Sequence, residues 1–316
     1  MQFWRPLGVI GTFGLALWAF AQSPVPPVKP PSEQNDDLTR IQVDVTRVNM
    51  LFTVTDKRGR FVTSLTKDDF DVLDSKKPQV IQEFMAEADL PLRLAVLVDT
   101  SNSIRDRFRF EQEAASEFVK SVLKSNADKA MIVSFDTQAE LVSDLVDDIE
   151  KLDHSIRGLR PGGGTALYDA IFLACRGKLQ QDLPRHKFRR AIVMLSDGDD
   201  NNSHHSRDQA LEMAQKADVV IYAISTNITR TETDGDKVLR YFTAETGGRA
   251  FFPFKVEELE QSFQDIANEL RHQYNISYRP EPLVADGLFH PIELRVKGRK
   301  DIVIHARKGY YAPTKM

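Results

Sequence analysis

Hydrophobic and polar positions across residues 93–273 alternate between strand-like and helix-like segments. Continuous apolar runs at 94–98 and 191–195 predict buried strands, and a predicted helix follows each of them. We expect strands at residues 93–99, 129–135, 140–144, 190–196, 219–225 and 249–253. Helices are expected at residues 105–124, 149–156, 166–180, 207–217, 236–246 and 256–273. This alternation predicts an α/β fold with a mostly parallel sheet.

Strand patterns also flank this α/β region on both sides. Residues 41–45 and 49–54, with shorter pieces at 65–72 and 80–84, predict strands before it, and residues 274–278, 292–296 and 302–306 predict strands after it. A few strands alone are marginally stable. We therefore expect residues 39–90 and 273–316 to pack together as one small β-sandwich, with a domain of residues 91–272 inserted between them. Two independent β-extensions are the alternative.

The N-terminal residues differ in composition from the rest of the chain. Arg5 precedes an uncharged, largely apolar run at 7–20, and Ala19-Phe20-Ala21 fits a small-x-small cleavage site. The run is shorter than the roughly 20 residues that span a bilayer. We expect a signal peptide at residues 1–21, a proline-rich linker at 22–38, and a secreted or periplasmic protein without a membrane span after cleavage.

Composition sets limits on the class of protein and its partners. The chain has 316 residues, of which 41% are hydrophobic and 28% are charged, which is typical of a soluble protein with a packed core. Its formal net charge of −4 gives no reason to expect nucleic acid as a partner. Cys175 is the only cysteine, so an internal disulfide is excluded, and we expect its thiol to be buried in a helix. The sequence does not indicate an oligomeric state.

Oxygen-bearing side chains follow two of the predicted strands. Asp99, Ser101 and Ser103 come at alternate positions after the strand at 93–99, and Asp197 follows the strand at 190–196. Thr165 follows a triple glycine at 162–164. Ligands of open parallel sheets gather at the carboxyl ends of the strands. Oxygen donors without Cys or His select a hard cation, so the sequence predicts Mg²⁺ first, and Mn²⁺ and Ca²⁺ also suit this donor set.

This pattern resembles the von Willebrand factor A (VWA) family, whose metal-ion-dependent adhesion site reads Asp-x-Ser-x-Ser, then a Thr, then an Asp. The resemblance covers residues 92–271, and the flanks, with the closing residues 306–311, resemble secreted bacterial VWFA-related proteins. It implies a Rossmann-like domain with a mostly parallel six-stranded sheet and helices on both faces. It also implies Asp99, Ser101 and Ser103 as direct metal ligands, Thr165 as a direct or water-linked ligand and Asp197 as a water-linked one.

From this resemblance we expect a Mg²⁺-dependent protein-binding or adhesion module that catalyses no reaction. The partner would be a protein whose acidic side chain completes the coordination of the metal. One alternative is a metal-assisted hydrolase with Asp136 or Asp169 as general base, although a turn position and a helix-surface position are the simpler interpretations of these residues. The other is a scaffold with a purely structural metal. The sequence lacks Gly-x-Ser-x-Gly, His-Glu-x-x-His and Gly-x-x-x-x-Gly-Lys motifs, which disfavours hydrolase and nucleotide-binding functions.

Overall fold

The computed structural model describes residues 47–86, 90–105, 107–124, 127–181, 185–229 and 231–314. The predicted signal peptide, the linker and the strand predicted at 41–45 lie outside the described residues. The strands are β1 (Val48–Asp56), β2 (Phe70–Asp74), β3 (Lys77–Gln79), β4 (Ile81–Met85), β5 (Leu92–Asp99), β6 (Lys129–Phe135), β7 (Ala139–Val146), β8 (Arg189–Ser196), β9 (Val219–Ser225), β10 (Ala250–Phe251), β11 (Tyr274–Tyr278), β12 (Phe289–Val296), β13 (Ile302–Ala306) and β14 (Gly309–Tyr311). The α-helices are α1 (Phe108–Val122), α2 (Ile149–Gly158), α3 (Leu167–Ala174), α4 (Arg207–Lys216), α5 (Asp234–Thr246) and α6 (Val256–Arg271). Among the described residues, no helix is both long enough and apolar enough to cross a membrane.

The central sheet has, within the described residues, six strands in the order β10-β9-β8-β5-β6-β7. Neighbouring strands are parallel except β7, which runs antiparallel to β6. Alternate strand residues pack against opposite layers: Val96 lies in the core with α1, α2 and α6, and Leu97 lies in the core with α3, α4 and α5. Because both faces are covered, the central strands are continuously apolar. The predicted α/β fold with helices on both faces is confirmed.

The flanking segments form two four-stranded sheets, with strand orders β13-β1-β11-β4 and β14-β12-β2-β3. β1 pairs with β11 and β13, and β2 pairs with β12, so each sheet combines strands from both ends of the described chain. Their shared core contains Phe52, Phe70 and Tyr274, whose ring centroids lie 5.2–5.9 Å apart. The α/β domain is therefore inserted in a β-sandwich, as the predicted fold class states, and two independent β-extensions are excluded.

The structure corrects the bounds of several predicted elements but not their order. The helix expected from residue 105 begins at Phe108, because Asn102–Ile104 form a 3₁₀ turn directly after β5. The helix expected at 166–180 is α-helical only to Ala174 and continues as a π-helical turn, Cys175–Leu179. The strand expected at 249–253 shortens to the two residues of β10. Cys175 is fully buried, as expected.

Candidate functional site

Three loops meet at the carboxyl end of the central sheet. One follows β5, one follows β8, and the third contains the triple glycine before α3. The amide of Gly162 donates to the carbonyl oxygen of Thr100 at 2.6 Å, and the amide of Asn102 donates to that of Gly163 at 3.3 Å. The amides of Asn201 and Asn202 each donate to the carbonyl oxygen of Thr165 at 3.0 Å. These contacts bring the five predicted metal ligands to the same edge of the sheet.

The loop after β5 joins three of the predicted ligands. Asp99 is the last residue of β5 and is fully buried. Its Oδ1 atom accepts a hydrogen bond from the amide of Ser101 at 2.9 Å, and the Oγ atoms of Ser101 and Ser103 lie 2.9 Å apart. The Oδ2 atom accepts a hydrogen bond from Ser196 Oγ at 2.7 Å. The carboxylate is thus held by the loop after β5 and by the last residue of β8, and the two serine hydroxyls lie beside it.

The charge at this edge is suited to a cation. Burial raises the pKa of Asp99 to about 6, and the negative charge of Asp197 adds to this rise, although hydrogen bonds from Ser101 and Ser196 oppose it. A cation close to the carboxylate would favour its ionised form. The donor set is two carboxylates and three hydroxyls, which matches the oxygen ligands that Mg²⁺ or Ca²⁺ takes in proteins. The residues present therefore fit a hard divalent cation.

Thr165 and Asp197 reach this edge from the other two loops. Thr165 is buried, and its amide donates to Asn201 Oδ1 at 2.9 Å. Asp197 is partly exposed, and its Oδ1 atom accepts a hydrogen bond from the amide of Asp199 at 3.2 Å. The next residue, Gly198, has a φ of +82°, and a Cβ atom there would lie 2.2 Å from the carbonyl oxygen of Gly235 in α5. Only glycine permits this turn beside Asp197.

The carboxylates of Asp169 and Asp136 already accept hydrogen bonds from neighbouring residues of the structure. Burial alone would raise the pKa of Asp169, but hydrogen bonds from the amides and the Nδ1 atoms of His204 and His205 outweigh it and hold the pKa well below its usual value. A carboxylate held in this way is a weak base. Asp136 Oδ1 accepts a hydrogen bond from the amide of Gln138 at 3.3 Å within a turn. This geometry disfavours the hydrolase alternative.

Asp200, in the loop after β8, has a structural role. Asp200 Oδ2 accepts hydrogen bonds from the amide of Tyr168 at 3.1 Å and from Ser203 Oγ at 2.6 Å, so it caps the start of α3. Within the described residues, no group of three or more His, Cys, Asp or Glu side chains is arranged to hold a metal ion. The predicted site is of a different kind, because only two of its five ligands are carboxylates.

Sequence analysis missed two polar residues close to this edge. Ser196 lies within a predicted strand, yet its hydroxyl donates to the carboxylate of Asp99. Glu111 lies on α1, is only 1% exposed, and neither oxygen of its carboxyl group has a hydrogen-bond partner among the described residues. The signal for Glu111 was available, since positions 108, 111, 115, 118 and 122 follow helical spacing and the other four residues are apolar.

Comparisons with known proteins find similarity in the α/β domain. Residues 94–199 match the family model of the von Willebrand factor type A domain, and this range contains all five predicted ligands. The comparison with curated proteins gives no match. Similar solved structures include BatB from Bacteroides thetaiotaomicron, with 16% identity, covering 57% of this chain and 98% of that one, at a TM-score of 0.45. A von Willebrand factor type A protein from Catenulispora acidiphila has 12% identity, covering 78% and 73%, at a TM-score of 0.48. Proximal thread matrix protein 1 from the mussel byssus, solved with a zinc-occupied MIDAS motif, has 19% identity, covering 62% and 49%, at 0.49.

Proposed function

We propose that this chain, whose residues 94–199 match the family model of the von Willebrand factor type A domain, is a metal-dependent protein-binding module. When bound, a Mg²⁺ ion would supply an open coordination position for an anionic oxygen. Asp99, Ser101 and Ser103 would hold the ion directly, and Thr165 and Asp197 would complete its shell directly or through water. The observation that carries this proposal is the buried carboxylate of Asp99, fixed by hydrogen bonds beside the paired hydroxyls of Ser101 and Ser103.

The charge of the donor set favours an acidic partner. Asp99 is the only charged group among the expected direct ligands, the three hydroxyls are neutral, and Asp197 is expected to act through water, so the cation keeps net positive charge and attracts a further oxygen ligand. A Glu or Asp side chain of a partner protein supplies such an oxygen. Mg²⁺ is the first choice of ion, and Mn²⁺ and Ca²⁺ also suit hydroxyl and carboxylate oxygens.

Binding is favoured over catalysis at this site. A metal-assisted hydrolase needs a general base that can take a proton from water. Of the two candidate bases, Asp169 has a lowered pKa and Asp136 is bound within a turn. Turnover of a panel of ester, amide and phosphoester substrates that requires Mg²⁺ would establish the hydrolase alternative instead.

We also propose that the protein is exported to the periplasm or beyond the cell. The support is the sequence pattern of residues 1–21, which ends in Ala19-Phe20-Ala21. Mass spectrometry of the protein from the cell envelope of its host should give a mature chain that begins at Gln22. Recovery of a chain that retains Met1 would contradict the proposal.

A calorimetric Mg²⁺ titration tests the metal site directly. Asp99→Ala should lower Mg²⁺ affinity by more than about 100-fold, a larger loss than that of an outer-shell partner, because it removes a charged direct ligand. Glu150→Ala is the matched control. It removes an exposed carboxylate at the start of α2. This helix follows β7, whose last residue pairs with the beginning of β6, so Glu150 lies near the edge of the sheet opposite the candidate site. Circular dichroism should show that both variants keep their fold, and equal Mg²⁺ affinity of Asp99→Ala and the wild type would overturn the proposal.

Partner capture separates a bridging metal from a structural one. The purified protein is immobilised and exposed to cell-envelope extract with MgCl₂ or with EDTA, and the Asp99→Ala variant is run in parallel. We expect capture in MgCl₂ only, and none by Asp99→Ala. Capture that survives EDTA, together with a lower melting temperature in EDTA, would instead support the scaffold with a structural metal.

A further inference from the structure

Glu111 is an unusual residue in the α/β domain. It lies in the first turn of α1 and is 1% exposed, and both oxygens of its carboxyl group are buried without a hydrogen-bond partner in the described part of the chain. An unsatisfied buried polar group costs about 1–3 kcal/mol, and more when it is charged. A position that carries such a cost in place of an apolar side chain invites a functional explanation.

A chain of contacts links this turn of α1 to the candidate metal site. The amide of Glu111 donates to the carbonyl oxygen of Arg107 at 3.2 Å, so the two residues lie one turn apart on the same helix face. Arg107 Nη1 donates to the carbonyl oxygen of Thr226 at 3.4 Å, and the amide of Thr226 donates to that of Ser196 at 3.1 Å. Ser196 Oγ in turn donates to Asp99 Oδ2. The helix turn that contains Glu111 is therefore connected through Arg107, Thr226 and Ser196 to the carboxylate of Asp99.

Electrostatic effects agree with this placement. Burial raises the pKa of Glu111 to about 8, the positive charge of Arg107 opposes the rise, and the negative charges of Asp99 and Asp197 add to it. Coulombic effects on a pKa require the charges to be close. Among the described residues, Thr226 Oγ1 is also buried without a hydrogen-bond partner.

We propose that Glu111 is an additional acidic residue of the metal centre, whose carboxylate helps to balance the charge of the bound divalent cation from the α1 side. This inference rests on the proposed function, and Glu111 acts beside the five ligands rather than in place of one of them. The cation would add a favourable interaction to the attraction of Arg107, for a carboxylate that has no hydrogen-bond partner among the described residues. Glu111 would then contribute to how tightly the metal is held, while Asp99 and the two serines determine where it is held.

The test compares Glu111→Gln with the wild type by MgCl₂ calorimetry and by thermal melts with and without MgCl₂. We expect Mg²⁺ affinity to fall about tenfold, which corresponds to about 1.4 kcal/mol. The metal-free variant should melt at a higher temperature than the metal-free wild type, because the buried acid is replaced by a neutral amide. The increase in melting temperature that MgCl₂ gives should be smaller in the variant.

Glu269→Gln is the matched control. Glu269 is also fully buried, one of its oxygens also lacks a partner, and burial raises its pKa to about 7. Its other oxygen pairs with Arg249 instead of facing the predicted ligands. We expect Glu269→Gln to leave Mg²⁺ affinity unchanged. Glu111→Asp keeps the negative charge and should retain Mg²⁺ affinity to within about threefold, since a threefold loss is only about 0.7 kcal/mol.

The possible outcomes separate this inference from the proposed function. If the wild type binds no Mg²⁺, Mn²⁺ or Ca²⁺, the proposed function is wrong and this inference fails with it. If the wild type binds Mg²⁺ and Glu111→Gln binds it equally well, only this inference is overturned. An equal loss of affinity in Glu111→Gln and Glu111→Asp would show a dependence on shape rather than charge, and would also overturn it.

Discussion

Two buried carboxyl groups differ in a way that separates the two regions of this molecule. In the β-sandwich, Asp74 is 5% exposed, and its Oδ2 atom accepts hydrogen bonds from the hydroxyls of Tyr278 at 3.0 Å and Tyr310 at 2.9 Å. Its Oδ1 atom accepts a further one from Ser75 Oγ at 3.1 Å. In the α/β domain, Glu111 is more deeply buried, and within the described residues neither of its oxygens has a hydrogen-bond partner. The first carboxyl group is satisfied within the fold, whereas the second lacks such partners among the described residues and is the one that we propose to act on a bound cation.

Asp74→Ala should have the largest effect on stability. It leaves the buried hydroxyl of Tyr278 and the partly buried hydroxyl of Tyr310 without their acceptor, and each such loss costs about 1–3 kcal/mol. We expect the free energy of unfolding to fall by about 2–5 kcal/mol in urea titrations, while Mg²⁺ affinity of the folded protein stays unchanged. Asp74→Asn keeps an acceptor oxygen and should lose about 1 kcal/mol. Weaker Mg²⁺ binding by the folded Asp74→Ala variant would remove the contrast with Glu111.

Thr165→Ala should have a moderate effect, and on metal binding rather than on the fold. One water can replace a single neutral hydroxyl in the shell of Mg²⁺, so we expect a loss of affinity of about three- to tenfold, or about 0.7–1.4 kcal/mol. The hydrogen bonds that hold its loop are made by the backbone of Thr165 and should remain. Calorimetry and thermal melts measure both quantities. A loss of Mg²⁺ affinity as large as that of Asp99→Ala would show that Thr165 is not replaceable by water.

The smallest expected effect concerns how the stability of the β-sandwich falls in acid, and it involves His305 in β13. Burial lowers the pKa of His305 to about 4, and the positive charges of Arg249 and Lys308 lower it further. The unfolded chain therefore binds the proton more tightly, so the contribution of neutral His305 to stability is complete above about pH 6.5 and is lost as the pH falls towards 4. His305→Gln should reduce the loss of stability between pH 7 and pH 4 by about 1 kcal/mol, after allowance for solvent screening.

Urea unfolding at several pH values measures this difference. His154→Gln, at an exposed position of α2, is the control and should leave the pH dependence unchanged. The change should also be independent of MgCl₂, because His305 belongs to the sandwich. An acid sensitivity of His305→Gln equal to that of the wild type would contradict the assignment of this proton to His305.

Much of the α/β domain was predictable because its signals are local. The apolar runs of β5 and β8 are continuous, since helices cover both faces of the sheet. Asp99, Ser101 and Ser103 are close in sequence, so their meeting in one loop followed from their spacing. Their role as metal ligands stays a prediction. Helix bounds were less predictable, because helix ends commonly depart from α-helical geometry, as they do in the 3₁₀ turn at Asn102–Ile104 and the π-helical turn at Cys175–Leu179.

The sequence by itself determined the order of strands and helices and the oxygen-rich character of one sheet edge, because both depend on residues that are neighbours in the chain. Tertiary structure alone decided which strands of the two flanks pair and which buried groups meet. Asp74 and Tyr278, which share a hydrogen bond, are 204 residues apart in the sequence. Glu111 could be recognised in advance only as a charge on an apolar helix face. Its closeness to Asp99 and Asp197 arises because α1 packs on the central sheet, which places the first turn of α1 beside the carboxyl ends of the strands.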